Sequence, residues 1–228
     1  MNDKLWPRLI QCLLVLALPI ALLMADIRFA TGHWFAHWEY GKADFPSDPY
    51  GFSTAERTRL AKVCIDYLAT SADISLLGDL RLGNGEPAFN ERELRHMADV
   101  QTVYDRLMMA GIVAALTLLG GITALLVAKH PRHRVPAALV GGSLLTLGLM
   151  GIVGAYMLLN WNDFFITFHR IFFESDTWTF PTSDTLIRLF PMRFWIDVAT
   201  VVVAPLVVET IIAGIVGWTW ARRIGPAD

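Results

Sequence analysis

Leu107-Met108-Met109-Ala110-Gly111-Ile112-Val113-Ala114-Ala115-Leu116-Thr117-Leu118-Leu119-Gly120-Gly121-Ile122-Thr123-Ala124-Leu125-Leu126-Val127-Ala128 is a run of 22 residues without an ionisable side chain. As an α-helix it rises roughly 33 Å, enough to cross the hydrocarbon core of a bilayer. Leu9–Ala25, Val135–Leu159 and Val198–Trp218 contain almost no charge either. The chain therefore reads as a mainly α membrane protein with four transmembrane helices, at about 9–25, 107–128, 135–159 and 198–218.

The whole composition agrees. The 228 residues are 54% hydrophobic and 18% charged, which excludes a disordered chain, and two cysteines are too few for a disulfide scaffold. Since 19 Lys+Arg face 21 Asp+Glu, no excess of positive charge points to a nucleic-acid partner. The first span follows Lys4 and Arg8, as a signal peptide would, but Leu23 is too large for the cleavage site, so the span is read as retained. Basic short segments stay cytoplasmic. Lys4 and Arg8, then Lys129, Arg132 and Arg134, then Arg222 and Arg223 place both termini and the 129–134 turn inside a plasma-membrane protein. Residues 28–106 and 160–197 are then extracytoplasmic.

Small residues within the spans, among them Gly111, Gly148, Gly151, Gly154, Gly214 and Gly217, are expected to let helices approach closely. Trp6, Trp34, Trp38, Trp161, Trp195, Trp218 and Trp220 fall near span ends, where amphipathic rings prefer to sit. Glu209 is the exception in the fourth span, either a functional carboxyl or one held neutral between helices, and Pro205 removes a backbone donor beside it.

The first outer segment reads as a small α+β cap. Ser53-Thr54-Ala55-Glu56 has capping-box spacing, and Leu60, Val63, Cys64, Tyr67 and Leu68 follow at helical intervals, predicting a helix over 54–68. Residues 71–89 alternate in short pieces around Gly78 and Gly83-Asn84-Gly85, which suggests short strands and turns. Asn90-Glu91-Arg92-Glu93 starts a helix that runs into the second span. On it Arg95 and Asp99 are i,i+4 neighbours, and His96 and Asp99 are i,i+3 neighbours. The second outer segment buries His169 in an aromatic run from Phe164 to Phe173, where desolvation favours the neutral imidazole. Pro181-Thr182-Ser183-Asp184 then opens a short helix, 184–190, which Pro191 stops.

Several chemistries lack their residues. No Gly-x-Ser-x-Gly elbow is present, and Cys64 on an apolar helix face reads as core. Cys12 and Cys64 belong to opposite ends of the topology and should not pair. His33 and His37, with Glu39 nearby, have the spacing of metal ligands, but the His-Glu-x-x-His signature is absent and Trp34, Phe35, Trp38 and Tyr40 resemble an interfacial belt. A metal-dependent membrane hydrolase would need these two beside another histidine. His130 and His133 lie in a basic turn and read as surface residues. His96 and His169 remain, on separate outer segments adjoining the spans, and two imidazoles suit proton transfer during acyl transfer.

The strings Phe89-Asn90-Glu91-Arg92-Glu93-Leu94-Arg95-His96-Met97-Ala98-Asp99-Val100 and Phe168-His169-Arg170-Ile171-Phe172-Phe173, with Trp178, Asp184-Thr185-Leu186-Ile187 and Phe190-Pro191, resemble the lipoprotein intramolecular transacylase (Lit) family. The resemblance covers the whole topology, with its specific motifs in about 89–104 and 163–195. It departs at Phe180, where an acidic residue is common, and at Met192 after the Phe-Pro pair.

The resemblance implies an acyltransferase that moves an acyl chain from the diacylglyceryl group of a lipoprotein to the α-amino group of its N-terminal cysteine, leaving a lyso form. The partners implied are the diacylglyceryl lipoprotein and membrane lipids. Turning an ester into an amide runs downhill, so no cofactor is needed, and no metal is expected. By the same analogy His96 and His169 are the catalytic pair, one as base and the other as proton donor or polariser. Arg95, Asp99, Tyr104 and Trp178 are candidates for orienting substrate or touching lipid. A non-catalytic membrane protein that binds lipids or lipoproteins, with the histidines as polar packing, is the alternative.

Overall fold

A computed structural model describes residues 5–128, 133–173 and 177–224. Lys4, Lys129, His130 and Arg132, named above, lie outside the described residues. Among the described residues the helices are, in order, α1 (Trp6–Ala30), α2 (His33–Tyr40), α3 (Thr54–Thr70), α4 (Ser75–Gly78), α5 (Glu91–Val127), α6 (Arg134–Leu159), α7 (Trp161–Phe172), α8 (Thr185–Leu189) and α9 (Met192–Ile224). The four helices α1, α5, α6 and α9 are long and apolar enough to cross a membrane. Each contains one predicted span to within a residue. Helix α5 starts well before its apolar run: residues 91–106 carry Glu91, Arg92, Glu93, Arg95, Asp99, Asp105 and Arg106, too many charges for a lipid-facing segment, so this extension lies outside the span.

The chain packs as two compact units, residues 1–27, 108–161 and 202–228 in one and residues 28–107 and 162–201 in the other. In the first unit Leu14, Leu125, Val135 and Ala138 form a buried core. Close helix approach is specific to a few positions. A Cβ on Gly142 would lie 2.8 Å from Leu18, and one on Gly217 would lie 2.8 Å from the Pro136 carbonyl oxygen, so only glycine fits at these crossings. Gly148, Gly151 and Gly154, expected to serve in the same way, have no atom within 4 Å of an added Cβ. Glu209 is half-buried beside the fully buried Thr210. It stands within electrostatic reach of Asp26, which is buried just past the predicted end of the first span.

The second unit is built around α3. Ser53 Oγ accepts from the Glu56 N–H at 3.1 Å, and the helix ends at Ser71, which takes the left-handed conformation with φ 50°. Its inner face contributes Leu60, Cys64 and Tyr67 to a core completed by Leu77, Phe89, Met97, Leu186 and Leu189. The expected α+β cap is not formed: the described residues contain no strand, and the segment 71–89 holds only the isolated bridge between Arg81 and Pro87. The cause is local. Asp73 accepts from the Ser75 N–H at 2.9 Å and opens the short helix α4, while Leu77, Leu80 and Leu82 pack onto helices rather than pairing across a sheet. One bridge around Gly83–Gly85 is too short to stand as a hairpin.

Candidate active site

The site in the second unit begins with how α5 is capped. Asn90 Oδ1 accepts from the N–H groups of Arg92 and Glu93, both at 3.0 Å, and Glu93 Oε2 accepts from the Asn90 N–H at 2.8 Å. This reciprocal box fixes the first turn and so the direction of His96, one turn on. Glu93 is only 2% exposed, and its other oxygen accepts from the Leu186 N–H at 2.7 Å at the start of α8. Arg92 reaches the same segment through Asp184 at 3.1 Å. Adjacent residues of α5 therefore hold down the chain that leads from Trp178 to α8.

Helix α7 presents His169. Its Nδ1 lies 2.7 Å from the carbonyl oxygen of Phe165, one turn earlier. A carbonyl can only accept, so Nδ1 carries the hydrogen and Nε2 keeps a lone pair. The ring centroid of His96 is 6.5 Å away, with the two planes only 22° apart. Aromatic rings enclose the pair. Phe173 and Phe180 stand 5.0 and 5.4 Å from His96, and Phe165 and Trp178 stand 4.1 and 4.8 Å from His169.

This apolar surround sets the protonation states. Burial, reinforced by the neighbouring His169, pushes His96 down to about 4. Burial also lowers His169, against the opposing effect of its bond to Phe165. Both imidazoles are neutral at neutral pH, the form in which one nitrogen donates and the other accepts a proton. His96 Nδ1 and Trp178 Nε1 are buried with no hydrogen-bond partner among the described residues.

His96, His169 and Trp178 are thus brought together. The remaining candidates are placed less centrally. Tyr104 is buried two turns further along α5, its hydroxyl unpartnered among the described residues. Arg95 is exposed and Asp99 half-buried, and the expected i,i+4 pair between them does not form, because Arg95 points to the solvated side of α5. His96 likewise makes no bond to Asp99. His33 belongs elsewhere: its Nε2 lies 2.7 Å from Asp66, and no three His, Cys, Asp or Glu side chains among the described residues are grouped to hold a metal ion. Glu39, fully buried, pairs with Lys42 at 2.6 Å, and Lys42 in turn with Asp197 at 3.0 Å. Cys64 is enclosed in the core of α3, where burial pushes its thiol up, away from the thiolate. Sequence reading found the capping box but not the use of its second carboxylate oxygen on Leu186, and nothing in the sequence marks Phe173 or Phe180 as neighbours of His96.

The family described as Lipoprotein intramolecular transacylase Lit matches residues 12–195. The chain belongs to the Lit family. An uncharacterized protein of Aquifex aeolicus (strain VF5) is 30% identical over 190 residues, covering 83% of this chain and 84% of that protein. The fold is similar to that of the membrane integral lipoprotein intramolecular transacylase Lit from Bacillus cereus, solved in meso, with a TM-score of 0.79 at 19% identity over 96% of this chain and 97% of that one. A second structure of the Bacillus cereus Lit, with a histidine substituted, gives a TM-score of 0.73 at 18% identity, covering 96% and 93%. Membership makes the chain a multi-pass membrane protein of a transacylase family.

Proposed function

We propose that the chain is an intramolecular transacylase that moves an acyl chain from the diacylglyceryl group of a lipoprotein to the α-amino group of its N-terminal cysteine. The observation that carries this reading is the tautomer of His169: Nδ1 is engaged by Phe165, and Nε2 is left with its lone pair among aromatic rings. This supports His169 as the base. An α-amino group with a pKa of about 7.7–8 is mostly protonated at neutral pH, so a base is required for attack. His96, held neutral by burial, is the polariser of the ester carbonyl. Nucleophile and ester belong to one molecule, so positioning supplies much of the rate, and no acyl-enzyme forms. The basic segments named in the sequence put both termini in the cytoplasm and this site on the extracytoplasmic side, where lipoproteins mature. Arg95, Asp99 and Tyr104 are proposed to contact the substrate around this pair.

The test is tandem mass spectrometry of a lipoprotein N-terminal peptide from a host lacking other N-acylation. Transfer leaves total mass unchanged, so fragmentation must locate the chain. The expected result is an N-linked acyl group with the wild-type protein and its absence with His96→Ala and with His169→Ala. A diacylglyceryl peptide left unchanged by well-expressed wild-type protein would favour the lipid- or lipoprotein-binding alternative.

A further inference from the structure

The rings that touch His169 are Phe165, Phe168, Phe173, His96 and Trp178. Three are phenyl groups with no polar atom, and the imidazole of His96 can either donate or accept. Trp178 alone carries a group that can only donate. Its Nε1 is buried without a partner among the described residues, although a buried indole N–H ordinarily finds an acceptor. Leaving such a donor unpaired is unfavourable. Two other indoles of the outer segments are satisfied: Trp34 Nε1 donates to the Phe29 carbonyl at 2.8 Å and Trp195 Nε1 to the Phe190 carbonyl at 3.0 Å. The segment following Trp178 is anchored by Thr182 to Tyr50 at 2.8 Å, by Asp184 to Arg92, and by the Leu186 N–H to Glu93. A buried donor with no acceptor among the described residues, 4.8 Å ring to ring from the base and shortly before an anchored segment, is set out for an oxygen that arrives with the substrate.

We propose that Trp178 is a catalytic residue, its Nε1–H donating to the ester oxygen as negative charge develops there. This rests on the transacylase reading above. In the step, the amine lone pair forms the N–C bond as the carbonyl π pair moves onto oxygen, and the ammonium so formed loses its proton to His169 Nε2. Re-formation of the carbonyl then breaks the C–O bond to glycerol, whose oxygen takes the proton back from the imidazolium. The products are the amide and a glyceryl hydroxyl, with both imidazoles neutral again. Trp178 exchanges no proton throughout.

The decisive variant replaces Trp178 with 3-benzothienylalanine, which has sulfur in place of N–H and the same ring outline, with Trp178→Phe as a second variant. The detergent-purified full chain is assayed on a synthetic diacylglyceryl-cysteine peptide. Removing one oxyanion donor is expected to lower kcat about 100- to 1000-fold with KM changed less than about threefold. Binding is measured in parallel for two inert probes, a phosphonate in place of the esters, which mimics the oxyanion, and a diether, which has no carbonyl. The phosphonate should weaken at least about tenfold in both variants and the diether should not. Full activity with benzothienylalanine, or equal loss of both probes, would overturn the proposal and leave Trp178 as packing. Wild-type protein that makes no amide would instead overturn the transacylase reading, and the two probes would still decide the role of the indole.

Discussion

His33 and His37 lie one turn apart on α2, whereas His96 and His169 stand on different segments of the sequence, yet only the distant pair shares a site. His33 is exposed and bonded to the Asp66 carboxylate, and His37 is exposed on the same helix. His169 is bonded to a neutral carbonyl of its own helix and walled in by rings. Spacing along a helix says where side chains point, while enclosure decides which nitrogen is left with work to do. A carbonyl partner in an aromatic surround fixes the tautomer of His169, and burial favours its neutral form.

The contrast is broken most sharply by removing each imidazole in turn. His169→Ala and His96→Ala are expected to lower the transfer rate by about 100- to 10,000-fold each, the range for a lost general acid or base. His33→Ala and His37→Ala should stay within about threefold, since surface changes away from the site act weakly. Rates on the diacylglyceryl-cysteine peptide check this, and a comparable loss in either α2 variant would make that helix part of the site.

A second effect concerns acid. The folded pKa of His96, about 4, lies below the value of about 6.5 for an exposed imidazole. Between these values the unfolded chain binds a proton that the folded chain does not. The stability contributed by the neutral ring is therefore complete above pH 6.5 and is lost as pH falls towards 4, on the order of 3 kcal/mol in all. Thermal unfolding in detergent across this window should fall less steeply for His96→Gln than for wild type. Equal slopes would assign the acid sensitivity to other groups.

The smallest effect sharpens the comparison from the side of the scaffold. Glu93→Gln keeps the size of the side chain but turns one acceptor into a donor that faces a backbone N–H. It should cost about 2 kcal/mol of stability and slow transfer about 5- to 20-fold through displacement of the Trp178 segment. A lost rate with an unchanged affinity for the diether probe is the expected pattern; unchanged rate with lowered melting temperature would make the Glu93–Leu186 tie purely structural.

The spans were legible because run length and lack of charge are local properties, and Leu107–Ala128 is decisive without any partner. The starts of α3 and α5 were legible for the same reason: Ser53 and Asn90 act on N–H groups two or three positions away. Over 71–89 the alternation suits strands but helix forms instead, because Asp73 decides for a turn of helix and the leucines find helical faces. For the site, the resemblance pointed to His96 and His169, while the spacing of residues could suggest them only weakly. The tautomer of His169, the bond from Leu186 to Glu93 and the position of Phe180 against His96 depend on how separate segments pack or on the rotamer of one ring, and local sequence does not encode these.

The bond from His169 Nδ1 to the carbonyl four residues before it has a consequence for how such a protein diversifies. The element that sets the reactive nitrogen is internal to α7 and uses only backbone and the histidine itself. The wall residues Phe173, just past the end of α7, and Phe180, from the following segment, take no part in that bond. Ring size and shape can therefore be exchanged to admit longer, shorter or branched chains without resetting the proton on the imidazole. Selectivity and reactivity are separately heritable, and a library confined to the wall positions should yield altered lipid preference with the base intact.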